Sequence, residues 1–161
     1  MGAYKYLRKA GHNPTAAKQW SRQAVIKRIE RPSDLYSARR LGYKAKQGFV
    51  LARVGIKKGR RRRHSPTKGR KPHAMGVFFT PSQSKQAIAE RRANRKFPNL
   101  EILNSYKAGE DGRHNYYEII MVDTHHPSIR TDKDVTIKDQ RKRAFRGLTS
   151  AGRKGRGLRK R

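Results

Sequence analysis

Cysteine and acidic residues are scarce in this sequence of 161 residues. Cysteine is absent, and 11 Asp and Glu stand against 42 Lys and Arg. Without cysteine the chain forms no disulfide and binds no metal through thiolates. Acids are missing from residues 1–29, 35–89 and 140–161. A formal charge of +31 makes a compact fold repel itself unless a polyanion is present, so the composition predicts a nucleic-acid partner.

Long apolar runs are missing as well. No stretch approaches the ~20 apolar residues that a membrane-spanning helix needs, and residues 1–6 lack the apolar segment of a secretory signal. Leu, Ile, Val and Phe together fall below the ~20% that, with high net charge, is typical of disordered chains. The apolar residues concentrate at 49–56 and 100–122. We therefore expect one small folded centre with basic arms that become ordered on RNA.

Capping signals predict two helices. Asn and Pro at positions 13 and 14 open the first helix, which passes Val25 and ends before Pro32, because a residue preceding proline avoids the helical conformation. Residues 80–83 fit a capping box with proline at the first helical position, and the helix that they open runs to about Phe97.

Alternating polarity predicts three strands. The first covers residues 48–56, and residues 100–107 and 116–123 alternate well enough to pair with each other. Glu, Asp and Gly at 110–112 supply a turn between the pair, since glycine tolerates positive φ. One face of the first strand carries four apolar residues, Val50, Ala52, Val54 and Ile56.

The charge balance reverses between residues 101 and 139, where eight acids stand against five Lys or Arg. A segment with excess negative charge is unsuited to a phosphate backbone. We expect this segment to form a solvent-facing or protein-facing side of the molecule rather than its main RNA surface.

Residues 37–48 gather arginines and lysines around two glycines and a tyrosine. Arginine grips a phosphate with two parallel hydrogen bonds, and lysine acts as a point charge. Glycine permits close approach of the backbone to RNA, and Tyr43 can stack on an unpaired base. The alternative is a solvated basic turn with Leu41 and Tyr43 in the core.

Residues 57–72 form a basic loop in this interpretation. Its four consecutive arginines, 60–63, repel one another and cannot share one face of a helix, so we expect the loop to be mobile when the protein is alone. The pattern predicts phosphate binding without base specificity. A nuclear-localisation signal or a merely solubilising run is the alternative.

Residues 146–157 alternate cations with small residues. Glycine repeatedly weakens a helix here, and few apolar side chains are present to hold the segment to a core. The pattern predicts an extended arm that follows an RNA groove; a disordered tail is the alternative.

The residues predicted to bind RNA are cations, with one tyrosine among them. They are Arg39, Arg40, Tyr43, Lys44, Lys46, Lys57, Lys58, Arg60, Arg61, Arg62, Arg63, Lys68, Arg70, Lys71, Arg146, Arg153, Lys154, Arg156, Arg159 and Lys160.

Evidence for catalysis is weak. Asp123, His125 and His126 offer a carboxylate and two imidazoles, but neighbouring residues on a strand point to opposite faces, and no third ligand has suitable spacing. The sequence contains no phosphate loop and no nucleophile elbow. It therefore predicts a protein that is not an enzyme, with no cofactor, metal or small-molecule substrate and no membrane association.

Four blocks of the sequence resemble the archaeal and eukaryotic family of large-subunit ribosomal protein fifteen. They are residues 2–6, 38–54, 103–111 and 146–158. The most specific runs are ARRLGYKAKQG, which begins at Ala38, and RGLTSAGRK, which begins at Arg146. Together the blocks span nearly the whole chain.

The resemblance implies an α+β fold in which a small antiparallel sheet is flanked by helices. We expect a compact rRNA-binding domain at residues 1–139, with a long basic loop at 57–76, and a basic C-terminal extension at 140–161. The role implied is structural and cytoplasmic, within the large ribosomal subunit, with large-subunit rRNA and neighbouring ribosomal proteins as partners.

Two other functions fit the composition. A general nucleic-acid-binding or DNA-compacting protein is the main alternative, and it would fractionate with DNA rather than with large subunits. An RNA-processing enzyme is a third possibility, and it would have to turn over purified RNA.

Overall fold

A computed structural model describes residues 19–69, 76–79 and 81–158. Six strands lie in these ranges: β1 (Ile26–Ile29), β2 (Phe49–Lys57), β3 (Arg61–Arg62), β4 (Phe78–Phe79), β5 (Glu101–Glu110) and β6 (His114–Val122). The helices are α1 (Leu35–Arg40), α2 (Lys85–Lys96), α3 (Pro127–Arg130) and α4 (Ser150–Gly155). The fold is α+β, as predicted.

Strands β1, β2, β6 and β5 form one antiparallel sheet in that order. On β6, Glu118 lies directly opposite Arg53 of β2 and Tyr106 of β5, a spacing at which side chains bond across strands. Glu118 is fully buried and accepts hydrogen bonds from Arg53 Nη2 (2.9 Å) and the Tyr106 hydroxyl. The Ser33 backbone N–H also donates to it (2.9 Å), and Arg53 Cζ lies 3.9 Å from the Trp20 ring centroid. This polar row ties three strands to two flanking segments.

Helix α2 covers one face of the sheet. Ala89 and Ala93 of α2 pack against Ala52, Val54 and Met121. Alanine has the smallest side chain beyond glycine, so the helix and sheet approach closely. The predicted apolar face of the first strand is confirmed, because all four of its residues pack into this cluster: Val50, Ala52, Val54 and Ile56.

Helix α1 covers the opposite face, where Ala38 packs with Leu51, Tyr106 and Ile120. Asp34 begins this helix, since its side chain accepts a hydrogen bond from the backbone N–H of Ser37. Beyond the end of the sheet a third cluster forms from Val122, Ile129, Val135 and Ile137. Both faces of the sheet are therefore closed by short segments of the same chain.

The first predicted helix is wrong beyond Trp20. Gln19 and Trp20 are helical, but the chain then turns and β1 pairs with β2. The backbone N–H of Gly55 donates to the carbonyl of Val25 (2.8 Å), which extends this pairing. Pairing with a strand distant in sequence outweighs the local helical preference here. The predicted cap at 13–14 lies outside the described residues.

Helix α2 begins later than predicted. Its N-cap is Ser84, whose hydroxyl accepts from the backbone N–H of Ala87 (3.2 Å), and Thr80 lies outside the described residues. The helix ends at Lys96 with Phe97 as its C-cap, which agrees with the predicted end at about Phe97. Ser84 lies nearer the apolar alanines that pack on the sheet, and most helical stability in proteins comes from such packing.

The hairpin β5–β6 is confirmed, but its turn is built differently from the prediction. Gly112 does not adopt positive φ. Instead the Asp111 carboxylate accepts hydrogen bonds from the backbone N–H groups of Arg113 and His114 and from the Tyr116 hydroxyl. These bonds, led by that of Tyr116, lower the Asp111 pKa to about 2.

Two glycines of the 37–48 segment serve internal packing. Gly42 and Gly48 have φ of +95° and +89°, which disfavours other residues. A Cβ on Gly48 would lie 2.4 Å from Cγ1 of buried Ile129, and one on Gly42 would lie 3.0 Å from Cδ2 of Leu103. The protein's own core, rather than RNA, makes the close approach at these positions.

The segment predicted as an extended arm contains a helix. Thr149 caps α4 by accepting from the backbone N–H of Gly152 (3.1 Å). Ala144 and Ala151 are buried, so the segment packs onto the folded body as far as Ala151, whereas residues 153–158 are exposed. The prediction of an extended conformation is therefore wrong for α4.

A buried carboxylate fastens this segment to the sheet domain. Glu90 of α2 is 1% exposed and accepts hydrogen bonds from the hydroxyls of Ser105 and Thr149, both at 2.5 Å. Burial raises the Glu90 pKa above its ordinary value. Nearby Arg143 is 8% exposed, and burial lowers its pKa. Three elements distant in sequence meet at Glu90.

Close contact between two glycines explains part of the glycine content of this segment. A Cβ on Gly152 would lie only 2.6 Å from Cα of Gly147, and Gly147 has a φ of +65°. Glycine at 152 therefore lets α4 rest on the turn that precedes it, an intramolecular requirement that the sequence alone did not reveal.

We predict that Gly152→Ala loosens the C-terminal segment, whereas Gly155→Ala does not. The new methyl at 152 meets backbone that cannot move aside, and such overpacking costs about 1–3 kcal/mol. At 155 the nearest atom is 3.8 Å away, and alanine favours the helix. Hydrogen exchange of residues 141–158 measures the effect. Equal protection in the two variants would contradict the packing described here.

Candidate nucleic-acid interface

Six of the 11 acids are buried or form an ion pair with Lys or Arg: Glu90, Glu101, Glu110, Glu118, Asp132 and Asp134. Of the 11 acids in the sequence, all within the described residues, only four are exposed: Glu30, Glu110, Asp134 and Asp139. Two of the eight acids at 101–139 are buried and three are exposed, so a solvent-facing or protein-facing role for this segment stays a prediction. Glu101, for example, is buried and accepts from the backbone N–H groups of Lys142 and Arg143. Most of the exposed charged side chains are therefore cations.

Arg39 and Arg40 form the last turn of α1, and both are exposed. The helix holds them through Ala38, which is fully buried. Arg40 Cζ lies 6.0 Å from the ring centroid of Tyr36. Their backbone is thus fixed by the core while their guanidinium groups face solvent.

Tyr43 packs edge-on against Phe49, with ring centroids 6.1 Å apart, and joins the cluster around Ala38. This position agrees with the alternative that placed Tyr43 and Leu41 at the core. Stacking of Tyr43 on a base stays a prediction.

Lys44 and Lys46 are bound to acids of this chain. Lys44 Nζ lies 2.9 Å from Asp132 Oδ2 and 2.6 Å from Asp134 Oδ2, and Lys46 Nζ lies 2.5 Å from Asp132 Oδ2. The hydrogen bond to Asp134, followed by that to Asp132, raises the Lys44 pKa. These lysines join the 37–48 segment to the 128–134 segment, so part of their charge is already neutralised.

The cations after β2 remain mostly free of acids. Lys58 Nζ has a weak pair with Glu110 at 3.6 Å, while Lys57 and the arginines at 60–63 are exposed at the strand end and on β3. Lys68 is exposed with φ of +56°. The predicted loop contains the short strand β3, which pairs with β4 just beyond the loop, so it is not entirely irregular. Two further predicted residues, Arg70 and Lys71, lie outside the described residues.

The C-terminal cations lie on and around α4. Arg153 and Lys154 occupy its last turn. Arg156 Nη1 donates to the Arg146 carbonyl at 3.4 Å, which brings these two residues together. All four are exposed. Arg159 and Lys160 lie outside the described residues.

Helix α2 carries exposed cations that the sequence interpretation did not assign to the site. Arg92, Arg95 and Lys96 are exposed, and Arg95 Cζ lies 5.8 Å from the Phe145 ring centroid. The sequence could have revealed these cations through their spacing from the apolar alanines. Ala89 and Ala93 face the sheet, which places residues 92, 95 and 96 on the outer face of the helix.

An open pocket of about 530 Å³ was also not predicted. Its lining residues are Thr124, His125, Arg130, Lys138, Asp139 and Arg141. Lys138 Nζ donates to the Arg130 carbonyl at 2.7 Å, which holds its ammonium beside this rim. Three cations from separate turns converge there, an arrangement suited to an anion.

Asp123 and its neighbouring histidines have structural roles. Asp123 accepts from the backbone N–H of His125 (3.0 Å), and His126 Nδ1 accepts from that of Ser128 (3.2 Å) to cap α3. Across residues 19–69, 76–79 and 81–158, no group of three or more His, Cys, Asp or Glu is placed to hold a metal ion.

Comparison with known proteins agrees with this cationic surface. A family model described as Ribosomal L15 matches residues 2–161. The chain belongs to the ribosomal L15 family. It is similar to the Large ribosomal subunit protein eL15 of the archaeon Methanocella arvoryzae, with 48% identity over 172 residues, which cover 98% of this chain and 88% of the relative.

The predicted family, function class and location are confirmed by this membership. A member of the ribosomal L15 family is a structural constituent of the large subunit of cytoplasmic ribosomes and is not an enzyme. In the part of the chain that the structure describes, no helix is long and apolar enough to span a membrane.

We predict that Asp132→Asn reduces the acid sensitivity of the fold. Hydrogen bonds from Lys46 and Lys44 lower the Asp132 pKa below its ordinary 3.8. A lowered folded-state pKa stabilises the protein above 3.8, and this contribution is lost as the pH falls through the folded-state pKa. Unfolding midpoints measured between pH 7 and 2 should fall less steeply in the variant.

Asp139→Asn is the matched control, because Asp139 is exposed and has no ion pair among the described residues. Its pH profile should follow that of the wild type. Identical profiles for Asp132→Asn and the wild type would mean that the Lys44–Asp132–Lys46 contact does not stabilise the fold.

Proposed function

We propose that this chain binds large-subunit rRNA through exposed cations that lie on its helices and strands. The observation that carries the proposal is the segregation of charge: only four of the 11 acids are exposed, whereas most Lys and Arg among the described residues are exposed. The proposed contact groups are the end of α1, the ribbon β3–β4, the outer face of α2 and the region of α4. Neighbouring ribosomal proteins are proposed as further partners.

Internal ion pairs indicate that the cations have two different roles, one structural and one in RNA binding. Lys44 and Lys46 are held by Asp132, so we assign them mainly to bracing the segment that carries α1. Arg39 and Arg40 have no ion pair with the described acids and are available to phosphates. Arginine presents a planar fork that matches two phosphate oxygens. The α1 pair is therefore the proposed anchor.

Contacts of this kind position a protein on RNA without reading its sequence. Phosphate contacts fix register and orientation, whereas specificity needs base edges, base faces or RNA shape. We propose that the C-terminal extension, predicted at 140–161, adds cations to the body onto which it is docked by Glu90 and Thr149. Arg70, Lys71, Arg159 and Lys160 stay predictions of the same kind.

We predict a steep dependence of rRNA affinity on salt. If about eight phosphates are neutralised, affinity should fall by about 10³-fold or more between about 50 and 200 mM salt, because bound counterions are released on binding. Titrations of the full chain with an rRNA fragment at several salt concentrations give the slope. A flat log–log plot would exclude phosphate contacts as the main source of affinity.

We predict that Arg39→Ala with Arg40→Ala weakens rRNA binding more than Arg61→Ala with Arg62→Ala. The core fixes α1 through buried Ala38, whereas the ribbon must lose more conformational entropy on binding. Both variants lose two charges, so the long-range electrostatic loss is matched. Affinity at one fixed salt concentration is the measurement, after circular dichroism has verified folding. Equal losses would show that net charge alone sets affinity, and a larger loss from the ribbon pair would move the anchor there.

A further inference from the structure

The ribbon β3–β4 places arginines opposite phenylalanines. Arg61 pairs with Phe79 and Arg62 with Phe78 in antiparallel register. The Arg63 backbone N–H donates to the Val77 carbonyl at 3.0 Å and extends the pairing by one step. Directly opposed side chains lie on the same face of a ribbon, and successive residues point to opposite faces. Each face therefore carries one arginine beside one phenylalanine.

These phenylalanines stay in contact with water. Phe78 is 46% exposed, Phe79 48% and Val77 52%. The other three phenylalanines of the chain, Phe49, Phe97 and Phe145, are half-buried. An isolated two-stranded ribbon is marginally stable in water, and exposed aromatic rings on both faces indicate that each face is covered by a partner.

Charge selects the class of partner. Arg60 to Arg63 are all exposed, and no acid occurs in the sequence between Asp34 and Glu90. A purely apolar protein groove would leave these guanidinium groups unpaired. A nucleotide satisfies both features of the ribbon, because its base offers a flat π face to phenylalanine and its phosphate accepts hydrogen bonds from arginine.

We propose that Phe78 and Phe79 are base-stacking residues, each of which holds one unpaired rRNA base on its face of the ribbon. Arg61 and Arg62 bind the adjoining phosphates. The bases must be unpaired, because base faces within an RNA duplex are already stacked on their neighbours. The inference rests on the proposed rRNA binding, to which it adds a contact with bases rather than with phosphates alone.

The test compares full-length variants on a single-stranded RNA of twelve nucleotides and on the duplex of the same sequence. Phe78→Ala and Phe79→Ala should each weaken single-strand binding about tenfold, and the double variant about a hundredfold, with little change on the duplex. The slope of log affinity against log salt should stay as in the wild type, because no charge is removed. Val77→Ala, an exposed apolar change in the same ribbon, is the control and should bind normally.

Replacement of both phenylalanines by leucine separates stacking from apolar docking. Leucine keeps the apolar surface but has no π face, so it should bind single-stranded RNA as poorly as alanine. If the alanine double variant binds within twofold of a wild type that retains a steep salt slope, the stacking proposal is overturned while phosphate binding stands. Retention of wild-type affinity by the leucine variant would also overturn it, because apolar contact without a π face would then be sufficient. A wild type with no salt slope would instead refute the proposed function.

A second measurement does not depend on the folding of any variant. Irradiation of intact ribosomes with short-wavelength ultraviolet light joins aromatic side chains to bases stacked on them. Mass spectrometry should then find nucleotide adducts on Phe78 or Phe79. Adducts elsewhere in the chain with none at these two residues would overturn the proposal.

Discussion

The structure depends above all on a single buried carboxylate at the centre of the sheet. Glu118 is fully buried, and an unpaired charge at that depth costs several kcal/mol. Its partners come from outside β6: Arg53 from β2, Tyr106 from β5, and Ser33 just before α1. The charge is therefore tolerated only when β2, β5 and β6 and the α1 segment have all assembled. Hydrophobic clusters are small here, and this polar row supplies the specificity that they lack.

Three other acids follow the same principle and contribute to the cationic character of the surface. Glu90 receives two hydroxyls, Glu101 two backbone N–H groups, and Asp132 two lysines. Each carboxylate organises the chain locally and is thereby withdrawn from the surface. Because the chain has few acids and uses several of them in internal contacts, most of its exposed charged side chains are cations. Fold stability and the proposed RNA binding thus depend on one distribution of charge.

The sequence patterns predicted three strands of the sheet, but they did not reveal the internal contacts between residues distant in sequence. Alternation at 48–56 predicted β2 correctly because burial of one face is a local, periodic signal. The β1 strand was mistaken for helix because its partner β2 is distant in sequence. Gly152 was taken as a sign of extended chain, although its backbone contact with Gly147 is visible only in three dimensions. Likewise, Lys44 looked free because its partner, Asp132, is 88 residues away.

The Glu90 contact also sets an order of events during synthesis. Glu90 and its partner Thr149 are 59 residues apart, which a ribosome adds in about 3–12 s at common elongation rates. During that interval α2 and β5 can pack, but one carboxylate oxygen of Glu90 has no hydroxyl partner. The C-terminal segment therefore closes onto the body last, when the Thr149 hydroxyl donates to the second carboxylate oxygen of Glu90.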